Sequence, residues 1–415
     1  MLKKSRLVLL ILSVLLMQGM FSASVSAQEA SATVADPNQS GSEAAPNTQT
    51  IEDVIAELSK LGPKNKAFFD AMTPFRTLQG KMHTLLVEYQ TATPERKDQI
   101  QAEYETLLAE ADKQRKILVD AAVDAFLEAP YENFIVANFC IKLVYYENSR
   151  DNHEVAFKLA DAIIANPSGL NEQAGDFYEA AANSAFGCMQ FDQAEQWFAK
   201  AVTLKTKLGD DSLKNRLAIP DLKKLWADEQ LIREQEAQND NLPRVLIRTN
   251  KGDIVLELFE DHAPNTVANF ISLVKKGYYN TKVPFHRVIP GFMAQGGDPG
   301  GTGTGHPGYM FDCECYPKEG QPPYRRHFRG AISMANAGRD TNGSQFFLMF
   351  QPVTHLNGMH TVFGRVVSGI EVLADIQRID PDDEIIIDVP DYIIEAKVLR
   401  DRGHIYEPVK NSTRR

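Results

Sequence analysis

Phe285-His286-Arg287-Val288-Ile289-Pro290-Gly291-Phe292-Met293-Ala294-Gln295-Gly296-Gly297-Asp298 is the stretch on which the reading of this chain turns. It sets one guanidinium, Arg287, among phenylalanine and methionine side chains, with an imidazole and an amide close by. Arginine stays charged and offers a rigid fork of donors. No nucleophile with its base accompanies it, so hydrolysis fits poorly. An apolar hollow beside a fixed cation suits a reaction in which a small ring is held still while one hydrogen bond forms.

A second run answers the first: Ser333-Met334-Ala335-Asn336-Ala337-Gly338, continuing to Asn342-Gly343-Ser344-Gln345-Phe346-Phe347. Together the two runs resemble the cyclophilins, the peptidyl-prolyl cis/trans isomerases inhibited by cyclosporin. The likeness extends from about Val245 to Val398. It implies a closed eight-stranded β-barrel capped by two helices, with Arg287 as the catalytic donor. It also implies a proline socket of Phe292, Met293, Phe347 and Leu356. Gln295 and Gln345 would orient Arg287 and the substrate carbonyls. The backbone at Ala335 and Asn336 would take the substrate as an added strand. His286 and His360 match the pocket histidines, for packing and hydrogen bonding. Gly303-Thr304-Gly305 resembles the turn beside the neighbouring pocket. One position departs: His355 stands where large members of the family usually carry tryptophan, so cyclosporin affinity is expected to fall. The reaction needs neither cofactor nor metal.

Around this core the chain changes character. Val245–Thr249 and Ile254–Phe259 alternate with period two about Asn250-Lys251-Gly252-Asp253, a hairpin signal. A helix follows, opened by Pro264, with Val267, Phe270, Ile271 and Val274 on one face and Gly277 as its stop. Upstream, Leu242-Pro243 marks a boundary, and residues 51–240 read as a helical domain. Ile51, Val54, Ile55 and Leu58 keep helical spacing, with Gly62-Pro63 as a stop. Ala182, Phe191, Ala194, Phe198 and Ala201 resemble a tetratricopeptide hairpin, with a fainter copy from Asn152 to Ile164. An ordinary helical bundle explains the same small residues equally well. The fold class expected is therefore multidomain α plus β: an all-α domain, then an isomerase domain over 243–403, then a tail over 404–415.

The N-terminus carries Lys3, Lys4 and Arg6, an apolar run from Leu7 to Phe21, and Val25-Ser26-Ala27 ahead of Gln28. That is the pattern of a cleaved signal peptide over 1–27, and the run is short of the ~20 apolar residues of a membrane span. Residues 28–50 are small and polar and read as a disordered linker. An exported protein, periplasmic or extracellular in a bacterial envelope, is expected, with no membrane span after cleavage. The net charge of −11 and the lack of a basic block argue against nucleic acid as a partner. The expected partners are proline-containing polypeptides, with a protein partner for the helical domain left open.

Four cysteines remain in the mature chain. Cys140 and Cys188 could pair if their helices are neighbours. Cys313 and Cys315 with His306 or His327 lack the spacing of a zinc motif, so packing is preferred. Three functional readings follow. The first is a folding enzyme, a peptidyl-prolyl isomerase for exported chains. The second is a non-catalytic module or chaperone-like protein gripping proline motifs. The third is a helical scaffold on which the isomerase is incidental.

Overall fold

The computed structural model of the protein describes Ala56, Lys60 and residues 62–170, 173–204, 207–316, 324–380 and 390–411. The expected signal segment, the linker and, Ala56 aside, the first helical face lie outside the described residues. The chain divides into two compact units, residues 1–145 with 158–171, and residues 146–157 with 172–415.

In the first unit, α1 (Pro63–Thr91) and α2 (Pro94–Glu128) pack against each other. They bury Phe68, Met72, Phe75 and Met82 from one helix and Ile100, Leu118 and Phe126 from the other. The stop expected at Gly62-Pro63 concerns a helix outside the described residues; Pro63 opens α1. Proline suits a first helical turn, where its missing N–H has no partner to lose. Thr93 caps α2 by accepting the Arg96 N–H at 3.4 Å. The chain passes between the units within α3 (Phe134–Ser149) and α4 (His153–Ala165). All four cysteines are free thiols, so the pairing considered for Cys140 and Cys188 is not made. The Cys140 thiol donates instead to the Ala122 carbonyl at 3.5 Å.

The second unit contains α5 (Ala174–Gly187), α6 (Phe191–Thr203) and α7 (Asp210–Asn239) together with the sheet. Helices α5 and α6 form a hairpin in which Ala182, Ala194, Phe198 and Ala201 are fully buried. Small residues let helices approach closely in a bundle as readily as in a repeat, and one hairpin does not make a repeat array. Helix α7 runs through Pro220.

The strands form one sheet in the order β3-β9-β1-β2-β8-β6-β7-β5-β4. They are β1 (Arg244–Thr249), β2 (Gly252–Leu258), β3 (Val283–Pro284), β4 (Arg287–Ile289), β5 (Met293–Gly296), β6 (Ala331–Met334), β7 (Phe346–Met349), β8 (Val362–Ser368) and β9 (Tyr392–Arg400). The expected hairpin is present, with Thr249 opposite Gly252. Helix α8 (Pro264–Lys275) starts and stops where Pro264 and Gly277 place it, and a short α9 (Val372–Asp375) follows β8.

The closed eight-stranded barrel needs correction: among the described residues nine strands are present, and no ladder joins β3 to β4. The reason lies at Phe285-His286. The two end strands of the order are separated in sequence by these residues alone, so the sheet must curl until its edges meet at one continuous segment. There the chain changes partner. Phe285 N–H donates to the Asp391 carbonyl at 2.8 Å, and Val288 bridges Ile379. Alternation along the strands then sorts the side chains. Val288, Ala294, Phe346 and Leu348 join the inner core with Phe270, Phe285 and Phe363. Met293, Phe347 and Met349 face the other way, into a second cluster with Leu356 and Val362.

Candidate active site

The outward cluster is where the expected site residues assemble. Register sets them in a row: Arg287 lies opposite Gln295, Gln295 opposite Phe347, and Phe347 opposite Ser333. Partners across a ladder share a face, so the guanidinium, the amide and the aromatic ring stand side by side on β4, β5 and β7. Phe292, in the turn before β5, packs against the cluster of Met293, Phe347 and Leu356, and Ala335 packs there too. The Arg287 guanidinium lies 5.9 Å from the Phe292 ring centre. His355 is exposed beside it, 5.7 Å from Phe292 between ring centres. An apolar hollow with one cation at its edge is the result.

The two glutamines bond to each other and to the neighbouring turn. Gln295 donates to the Gln345 side-chain oxygen at 3.0 Å. Gln345 donates to the Gly303 and Gly305 carbonyls, both at 2.9 Å. Gln345 is thus a strut between β7 and the 303–305 turn. The same turn is folded from within by Asp298. Its carboxylate accepts from the Gly300, Thr302 and Gly305 amides at 2.8, 3.0 and 3.0 Å, and from the Thr302 hydroxyl at 3.2 Å. Burial pushes the Asp298 carboxyl up, but these donors outweigh it and hold it below its ordinary value.

Three further imidazoles border the site. His286 lies against Gly303, both its ring nitrogens buried without a hydrogen-bond partner, and burial lowers its pKa. His360 meets the Phe347 ring edge-on at 5.4 Å and pairs Nδ1 with the Met334 carbonyl at 3.0 Å. Burial lowers its pKa as well. His327 was considered only as a metal ligand, and its place is different. It stacks on Phe347 at 5.8 Å, nearly parallel, with Nδ1 against Asn357 at 2.9 Å and Nε2 against Ser333 at 3.0 Å. Burial pushes it down to about 3, so it is a neutral support for the socket floor. Nothing in its local pattern gives that away, because its partners come from β6 and from the loop after β7.

Ala335 follows β6, and its N–H already donates to the Gln345 carbonyl at 3.0 Å. Asn336 donates its side-chain amide to the Met359 carbonyl at 3.1 Å. Cys313 and Cys315 lie in a loop rather than on a strand. Among the described residues no group of three or more His, Cys, Asp or Glu side chains is placed to hold a metal ion.

Residues 244–398 match the family model described as cyclophilin type peptidyl-prolyl cis-trans isomerase/CLD. A peptidyl-prolyl cis-trans isomerase of Helicobacter pylori is 54% identical over 136 residues, which cover 32% of this chain and 80% of that protein. Peptidyl-prolyl cis-trans isomerase B of Bacillus subtilis is 57% identical over 118 residues, 28% of this chain and 78% of that one. A crystal structure of a cyclophilin type isomerase from Cryptosporidium parvum aligns at 36% identity and a TM-score of 0.34, covering 38% of this chain and 97% of the other. With its arginine beside an apolar cluster and relatives of this identity, the chain belongs, through its C-terminal part, to the cyclophilin-type peptidyl-prolyl cis-trans isomerases.

Proposed function

We propose that the protein accelerates cis/trans interconversion of X-Pro bonds in exported polypeptides, with Arg287 as the donor. The observation that carries this is the placement of Arg287 in one row with Gln295 and Phe347, at the rim of an otherwise apolar cluster. Rotation about a peptide bond breaks amide resonance and costs ~18–20 kcal/mol. As the bond twists, the proline nitrogen turns pyramidal and regains a lone pair. A guanidinium N–H directed at that lone pair stabilises the twisted state and not the planar one, which is the condition for catalysis. Phe292, Met293, Phe347 and Leu356 hold the ring, and the dry surroundings strengthen the hydrogen bond. The Ala335 amide is already engaged, so strand-like pairing with the substrate falls to its carbonyl and to Asn336.

Arg287→Ala tests this in the full chain with a short proline peptide. A single donor of this kind is worth about 2.7–4 kcal/mol, or ~10²–10³ in kcat. Loss of that size with peptide binding retained is the expected result. An undiminished rate would overturn the reading. Export rests on the charged, apolar and small-residue order of residues 3–27. Fractionation of cells expressing the full chain tests it, and retention in the cytoplasm would sink it.

A further inference from the structure

Residues 146–157, between and within α3 and α4, belong to the same compact unit as the sheet. One of them, Asp151, reaches the site's own framework. Its backbone is in the left-handed region, φ 60°, which residues with a Cβ enter only where the surroundings hold them. Its side chain is 2% exposed. Oδ1 accepts the Gly291 N–H at 2.9 Å, and Oδ2 accepts from Arg378 at 2.7 Å. Arg378 also donates to the Ile376 carbonyl at 2.6 Å and lies over the Phe350 ring, 4.4 Å from its centre. On the other side of the same residue, the Gly291 carbonyl accepts from Gln351 at 2.5 Å. Both backbone polar groups of Gly291 are therefore tied to side chains.

Gly291 is the middle of the turn Pro290-Gly291-Phe292 between β4 and β5, with φ 67°. The strand entering that turn carries Arg287, and the strand leaving it carries Met293 and Gln295. We propose that Asp151 is a positioning residue for isomerisation. It holds the Gly291 amide and so sets where Phe292 and Arg287 stand over the socket. The helical sequence upstream of the barrel thus contributes to the reacting site through one buried carboxylate. A second charge pair from the same stretch, Arg150 with Asp375 at 2.5 Å, meets α9 and does not touch the turn.

This rests on the reading of Arg287 and its socket as the reacting site, so Arg287→Ala is included as the control. The test compares full-chain D151A, D151N and R150M by kcat, KM, thermal midpoint and the Gly291 amide resonance. D151A is expected to lose at least about fivefold in kcat/KM, since a small misplacement of reacting groups has large effects. D151N keeps an oxygen for the Gly291 N–H and is expected within about twofold of wild type, while R150M loses stability but not rate. Wild-type kinetics in D151A with an inactive Arg287→Ala would overturn the proposal, as would equal losses in D151A and R150M. A wild-type rate in Arg287→Ala would instead sink the site reading beneath it. If D151A does not fold, D151N decides: Gly291 shift and rate kept together, or lost together, supports the proposal. Either one lost without the other overturns it.

Discussion

His355 and the buried imidazoles are the residues whose chemistry most separates this site from a generic apolar cleft. His355 stands beside Phe292 at the rim, in the place where the family's large members usually carry an indole. A buried tryptophan is a frequent anchor of tight binding. His355→Trp is expected to tighten cyclosporin inhibition by about tenfold or more while peptide turnover changes little. An inhibition titration of both proteins checks it, and nanomolar inhibition of the wild type would contradict it. His286, His327 and His360 are all held below the ordinary histidine value, first by burial. They are neutral at neutral pH, and twisting an amide needs no proton transfer. The rate constant kcat/KM should vary less than about twofold between pH 6.5 and 8.5. A bell-shaped profile would show that one of these rings exchanges protons with the substrate. Arg287, Phe292 and Phe347 were legible because they fall inside contiguous motifs. His327 was not, because its role depends on Asn357 and Ser333, which only the fold brings to it.

Among the elements, the 298–305 turn bears most directly on function, because Gln345 leans on it. Its conformation depends on one carboxylate taking three backbone amides. Asp298→Ala removes that centre and leaves the amides to find water. A cost of about 2–3 kcal/mol in stability is expected, together with a rise in KM for peptides extending upstream of the proline. Unchanged KM across peptide lengths would separate the turn from substrate binding. The β1–β2 hairpin and α8 were readable in advance, since alternation and Pro264 are local signals. That Pro63 also opens a helix follows from the same residue, since a proline that ends one helix equally well begins another. The partner change at Phe285-His286 could not be read locally. It is defined by Asp391 and Ile379, about a hundred residues downstream.

Within the second unit, α7 meets the loop ahead of β6 through buried ion pairs. The Arg325 side chain is fully buried and gives two hydrogen bonds to Glu229, at 2.7 and 2.9 Å, and two to Glu236, at 2.5 and 3.4 Å. Its guanidinium also covers Phe259 at 3.5 Å, and Trp226 meets Phe328 edge-on at 4.8 Å. Burial pushes the Glu229 carboxyl up, but Arg325 and Arg233 outweigh it and hold it below its ordinary value. Glu236 goes the other way, its burial exceeding what Arg325 returns. A carboxyl with a lowered native pKa contributes stability above the unfolded value near 4.5 and loses it as pH falls further. Glu229→Gln leaves Arg325 short of charge and should cost about 3–5 kcal/mol at pH 7. It should also flatten the decline in thermal midpoint between pH 5 and 3, and an equally steep decline in the variant would refute the assignment. No sequence pattern announced this contact: the partners are 96 positions apart, and a charged helix ordinarily faces solvent.

Strand β9 is made last yet lies between β3 and β1. Until Tyr392–Arg400 has left the ribosome, β3 has no strand to pair with and β1 is paired on one side only, with β2. The helices can settle as they emerge, but the sheet is completed only when this last strand arrives. A chain ending before β9 is therefore expected to leave β3 without its ladder and one edge of β1 open.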